Sequence, residues 1–134
     1  MDQFEVLQLL ATYAWSHDSR QFDKLATCFA PDAEYTMRIA DNPPSSPTIG
    51  GEAIAALVRS FKEKQTDQRR HVISNVVFHA FRSDYARTSS YVTVLATTPE
   101  ASVVVATGTC VDEVVVRDGV VVFHSKAMHL DKSF

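Results

Sequence analysis

From His71 to Leu130 the chain consists largely of Val, Ile, Phe, Tyr and Thr, in four runs separated by very short breaks. The runs are His71–Arg82, Tyr85–Thr98, Ser102–Arg117 and Val120–Leu130; the breaks are Ser83-Asp84, Pro99-Glu100 and Asp118-Gly119. Breaks this short read as hairpins, and Asp-Gly is the strongest such signal. The runs span 11 to 16 residues, well above the usual length of about five or six. Antiparallel strands of that length twist and curl. A strongly curled sheet with helices on its concave side forms a cone around an apolar pocket. The expected fold class is therefore α+β: a curved, mostly antiparallel sheet covered by about three N-terminal helices, a cone-shaped barrel. No repeat and no linker divides residues 1–134, so one domain is expected.

The first half supplies the helices. Asp2 followed by Glu5 is a helix start signal. Phe4, Leu7, Ala11 and Ala14 recur at helical spacing, with Val6, Leu10 and Tyr13 beside them. Asp18 or Ser19 caps a second, short helix carrying Phe22, Leu25, Ala26 and Phe29, which Pro31 and Asp32 end. Ala33 to Ile39 reads as a short strand. Asp41 to Gly51 is a loop stiffened by Pro43, Pro44 and Pro47. A third helix runs from Glu52 to Gln65 on Ile54, Leu57, Val58 and Phe61, and the polar run after it reads as its end.

Composition removes several classes of function. The hydrophobic fraction of 46% and charged fraction of 22% are ordinary for a folded domain. The net charge is −3 and no Lys/Arg stripe exists, so no nucleic-acid partner is expected. Lys62, Lys64, Arg69 and Arg70 read as a solvated helix end. Cys28 and Cys110 form no CxxC pair and read as buried free thiols of a reducing compartment. No leader and no run of about 18 apolar residues is found, so a cytoplasmic protein without a membrane partner is expected.

Few residues offer chemistry. The stripe Phe4, Leu7, Ala11, Ala14 next lands on Asp18. A carboxylate in that place caps the next helix, or sits at a cavity mouth, or does both with its two oxygens. Burying it without a partner would cost several kcal/mol or shift its pKa. His71 opens the first long strand, where Ile73, Asn75 and Val77 alternate with it; periodicity alone does not say which face looks inward. Together the two residues would form a base without metal or cofactor, the aspartate fixing the imidazole tautomer and favouring the imidazolium. Tyr13, Tyr35, Tyr91 and Asp112 are candidate substrate-binding residues, since phenols in an apolar pocket polarise a carbonyl or hold a hydroxyl; packing is the competing reading for each. His17, His79, His124 and His129 form no HxH or HExxH spacing, so no metal is expected. No nucleophile elbow, Walker or dinucleotide motif occurs, so no cofactor is expected.

The stretch LLATYAWSHDSRQFDKLATCFAPDAEY resembles the opening of the SnoaL-like group in the nuclear-transport-factor-like (ketosteroid-isomerase-like) superfamily. The matching features are Tyr13, Asp18, Asp23 to Phe29, Asp32-Ala33-Glu34-Tyr35, and Gly51-Glu52-Ala53-Ile54, followed by RHVISN, ARTSSY and TGTCVDEVVVRDG. The chain looks most like the branch with scytalone dehydratase, bile-acid dehydratase and hexachlorocyclohexane dehydrochlorinase. That resemblance implies a cofactor-free elimination with a His–Asp dyad at His71 and Asp18, and pocket aromatics at Tyr13 and Tyr35. The family's G-x-Y-x-D becomes Gly108 to Asp112 with Cys110 in place of the tyrosine, which implies a differently shaped pocket.

The expected function is a lyase or isomerase acting on a small, mostly apolar hydroxy or keto compound. The alternatives on the same fold are a cyclase of polyketide or terpenoid type, or an epoxide hydrolase using Asp112 with Arg87 or Arg117. A third is a non-catalytic binding or dimerisation module. A sheet face left uncovered by helices implies a homodimer.

Overall fold

The computed structural model describes residues 1–133. Its elements are α1 (Gln3–Asp18), α2 (Phe22–Thr27), β1 (Phe29–Ile39), β2 (Thr48–Ile49), α3 (Gly51–Glu63), β3 (Gln68–Arg82), β4 (Tyr85–Thr97), β5 (Ser102–Arg117) and β6 (Val120–Leu130). The strands form one curved sheet in the order β2-β1-β6-β5-β4-β3. The pairing of β1 with β6 is parallel; the other four pairings are antiparallel. The class is α+β as expected, but the sheet is not closed into a barrel: β2 and β3 remain edges. No helix among the described residues is long and apolar enough to cross a membrane.

The start of α1 is a reciprocal cap. Asp2 accepts from the Glu5 backbone and Glu5 accepts from the Asp2 backbone, both at 2.8 Å. Its buried face differs from the expected one. Val6, Leu10, Tyr13 and His17 face the core, whereas Phe4 is 71% exposed and Leu7 is 41% exposed. The helix carries apolar residues on two sides, so spacing alone does not choose between them. The second side, with Leu7, Ala11, Ala14 and Trp15, borders an open groove against Val72, Ile73 and Val76 of β3.

Two element boundaries also moved. Phe29 opens a strand rather than closing a helix, and Pro31 lies within β1 where its pairing with β6 shifts, between Phe29 and Glu34. An irregular pairing is where a strand tolerates a residue without an N–H. β3 begins at Gln68, so Arg69 and Arg70 belong to a strand and not to a helix end. Farther along β3, Asn75 takes φ 55° at a bulge between Ser74 and Val77. Beyond it Val76 and Phe78 pack on the core and Val77 is exposed, which breaks the alternation Ile73, Asn75, Val77. The Asp118-Gly119 hairpin has both residues at positive φ, 52° and 77°, as a tight type I′ turn requires.

The main core gathers Val6, Leu10, Tyr13, Leu25, Phe29 and Phe123; a second cluster gathers Val92, Val94, Ala106, Cys110, Met128 and Leu130 along the sheet. Cys28 and Cys110 are buried and free. Gly51 opens α3 directly against α2, and a Cβ there would overlap the Ala26 carbonyl oxygen. Gly51→Ala should therefore destabilise the protein by about 1–3 kcal/mol, as overpacking does. Urea denaturation checks this, and an unchanged midpoint would contradict such close packing of α2 and α3.

Candidate active site

The last turn of α1 lies across the start of β3 and brings Asp18 onto His71. His71 Nδ1 is 2.6 Å from Asp18 Oδ1, and the His71 backbone N–H donates to Asp18 Oδ2 at 2.7 Å. One carboxylate thus holds both the ring and the backbone of the histidine. Gln68 secures the other side by donating to the Asp18 carbonyl oxygen at 3.1 Å. Both side chains are about nine-tenths buried. In the neutral ring, a carboxylate at Nδ1 places the proton on that nitrogen and leaves Nε2 its lone pair. That is the tautomer of a general base.

The imidazole lines a cavity of about 40 Å³. That is room for roughly three waters at ~10–15 Å³ each. Met37, Phe61, Val94, Ala106, Met128 and Leu130 make its apolar wall. The polar groups on it are His17, Tyr35, Gln65, Arg69 and His71 itself. Register explains the inward turn of His71: it pairs with Val94, whose side chain is buried. Burial pushes the Tyr35 phenol well above its usual value, so it stays protonated and can donate.

Of the expected binding residues, Tyr35 alone is on this wall. Tyr13 is buried in the aromatic core, edge-on to Phe29 and Phe123 with centroids 5.8 and 5.9 Å away. Tyr91 is a correction: it is 56% exposed, opposite Ser74 on the outer face of the sheet. Adjacent strand residues alternate faces, so burial of Val92 and Ser90 turns Tyr91 outward. Asp112 is a correction of another kind. It is buried away from the cavity, with its Oδ1 accepting from Lys126 Nζ at 3.0 Å. Arg117 bonds Asp32 at the surface, so it does not complete an Asp-Arg-Asp arrangement with Asp112.

Three important residues escaped the reading of the sequence. Lys126 is 2% exposed and its ammonium lies over the rings of Tyr13 and Phe123, at 4.5 and 4.7 Å. Burial opposes its charge, but the Asp112 carboxylate outweighs that and holds it above the ordinary lysine value. Its signal was phase, since Lys126 shares the inward face of Met128 and Leu130. Lys62, expected at a solvated helix end, is instead buried; burial lowers its pKa while nearby Asp18 opposes the shift. His17 is the third. It continues the true core face of α1, four residues after Tyr13, and its ring centroid is 4.2 Å from that of His71.

Among the described residues, His17, Asp18 and His71 are the one group whose donor atoms, all within 4.8 Å of one another, could take a metal. Both Asp18 oxygens are already engaged by His71, and the 2.6 Å contact is a hydrogen-bond distance. Two ligands of one tetrahedral zinc stand roughly 3.3 Å apart. The arrangement is that of a dyad rather than of a metal centre.

No curated protein matches the sequence. Among solved structures, Aln2 from a Streptomyces species is 28% identical with a TM-score of 0.81, covering 96% of this chain and 89% of that one. A protein from Catenulispora acidiphila, solved in complex with S-DNPA, is 26% identical with a TM-score of 0.80, covering 95% and 91%. A Nostoc punctiforme protein described as having a cystatin-like fold is 20% identical with a TM-score of 0.84, covering 99% and 93%, a likeness of fold alone. The SnoaL-like domain family matches residues 1–126, from the capped start of α1 to Lys126 on β6, and the chain belongs to that family.

Proposed function

We propose that this protein is a cofactor-free lyase or isomerase for a small, mostly apolar hydroxy or keto compound, with His71 as base and Asp18 as its orienting partner. One observation carries the reading: the 2.6 Å Asp18–His71 contact at the wall of an apolar cavity. His71 Nε2 takes a proton from the carbon next to a carbonyl. The electron pair of that C–H bond moves into an enolate, and Asp18 stabilises the imidazolium that forms. For a β-hydroxy ketone, the C–O bond then breaks and the imidazolium proton leaves with the hydroxyl as water. For an isomerisation, the same proton returns to a different carbon. Neither course uses a redox step. The cavity has room for only about three waters, so a one-ring ketone enters only as side chains of its wall move.

The test is dehydration of 3-hydroxycyclohexanone, followed by the ultraviolet absorbance of the conjugated enone. The expected result is formation of the enone well above the buffer rate. A compound that binds, by broadening of its NMR lines, but never loses water would contradict the elimination reading.

The proposal includes a homodimer packed through the outer sheet face, where Val72, Val77 and Tyr91 are exposed. Light scattering at micromolar concentration should give about twice 14.9 kDa. A monomer mass would contradict it.

A further inference from the structure

His17 is a second imidazole on the wall of the cavity that holds His71. It is 8% exposed, and its Nδ1 is fully buried without a hydrogen-bond partner among the described residues. A buried polar atom left unpaired costs free energy and marks a place where a ligand or water completes the bonding. The ring is tilted 49° to that of His71, so the two are neighbours over one space rather than a hydrogen-bonded pair. A second unmet group stands on the same wall. Gln65 Oε1 is buried and has no partner among the described residues.

We propose that His17 donates an N–H to the carbonyl oxygen of the ligand held over His71, and that Gln65 Oε1 accepts from a hydroxyl on the same ligand. This rests on the reading of His71 as base, and it narrows the substrate class to a hydroxy ketone.

The chemistry fits both groups. A proton leaving the carbon beside a carbonyl puts negative charge on that oxygen, so a donor aimed there lowers the barrier. A neutral imidazole supplies one N–H and adds no charge. His17 stays neutral: burial lowers its pKa well below the usual value, and His71, Lys62 and Lys126 add to the effect. A charged His17 would instead repel the imidazolium that His71 becomes. The donor is thus placed beside the base without opposing it.

The experiment uses cyclohexanone labelled with ¹³C at the carbonyl, bound to the full chain in D₂O. Bound to the wild type, the carbonyl carbon should shift downfield, and the α-protons should exchange for deuterium. His17→Phe should abolish the shift and slow exchange roughly 10²- to 10³-fold, as loss of one oxyanion donor does. In a parallel sample in H₂O, the downfield proton resonance of the Asp18–His71 hydrogen bond should remain, which shows that the base is still in place. His17→Gln, which keeps an N–H, should restore part of both signals. Gln65→Leu should weaken 3-hydroxycyclohexanone up to about tenfold more than it weakens cyclohexanone, since the latter has no hydroxyl to donate. A carbonyl shift that survives His17→Phe, unaltered exchange in that variant, or no bound signal at all would overturn the proposal. A shift in the wild type without exchange would support the contact with His17 and count against His71 as base, so the two failures differ.

Discussion

His71→Ala should slow proton abstraction roughly 10²- to 10⁴-fold, the range for a lost general base. The variant should fold, because the Asp18 carboxylate keeps the backbone N–H of residue 71 as a partner and the lost ring opens its other oxygen to a cavity that admits water. It should also retain ligand, since the apolar wall is untouched. Asp18→Asn probes the partner. Asparagine has nearly the same shape, but its amide cannot offset the imidazolium charge. Its NH₂ can also donate to Nδ1, moving the ring proton to Nε2 and removing the lone pair the reaction needs. Exchange of the α-protons of cyclohexanone, followed by ¹H NMR, measures both variants. Wild-type rates in His71→Ala would sink the dyad as the source of the activity.

Asp112→Ala should be the most damaging single change to stability, costing about 3–5 kcal/mol, because it leaves Lys126 buried and unpaired. Lys126 is 2% exposed, Asp112 is 1% exposed, and they face each other in register across β5 and β6. Removing both charges together, as Asp112→Leu with Lys126→Met, should recover most of the loss, since a packed apolar pair replaces a desolvated ionic one. Urea denaturation reads both. A single variant within about 1 kcal/mol of wild type would contradict the buried pair. The pH dependence has a defined sign. Lys126 is held above the ordinary lysine value of 10.5, so its contribution is complete below that value and is lost as pH rises through the higher folded value. Burial also raises the Asp112 carboxyl above its ordinary value of 3.8, so its contribution likewise falls as pH rises from that value through the higher folded one.

The long runs from His71 onward announced the hairpins because turn residues such as Asp118-Gly119 act locally. The inward faces were less legible, because they depend on what lies across the sheet. Tyr91 and Val92 are both plausible pocket residues in sequence, yet only one parity meets the helices. At Asn75 a bulge reverses the parity within a strand, and no local signal marked it. Asp18 was legible for a partly mistaken reason. The stripe that led to it begins with Phe4 and Leu7, which are exposed, but Asp18 follows buried Ala14 by one helical step. The true face runs Val6, Leu10, Tyr13, and its next step is His17. A charged residue such as Lys126 reads as solvent-facing unless its phase with Met128 and Leu130 is weighed above its charge. Asp112, already singled out on β5, was the partner that made its burial possible.

The central claim is that His71, oriented by Asp18, removes a proton from carbon inside the cavity. Its most direct test is the rate at which the α-protons of cyclohexanone exchange in D₂O with wild-type protein, with His71→Ala, and with buffer alone. The wild type should accelerate the exchange, and His71→Ala should return it toward the buffer rate. Equal acceleration by both proteins, or none by a wild type that binds the ketone, would contradict it.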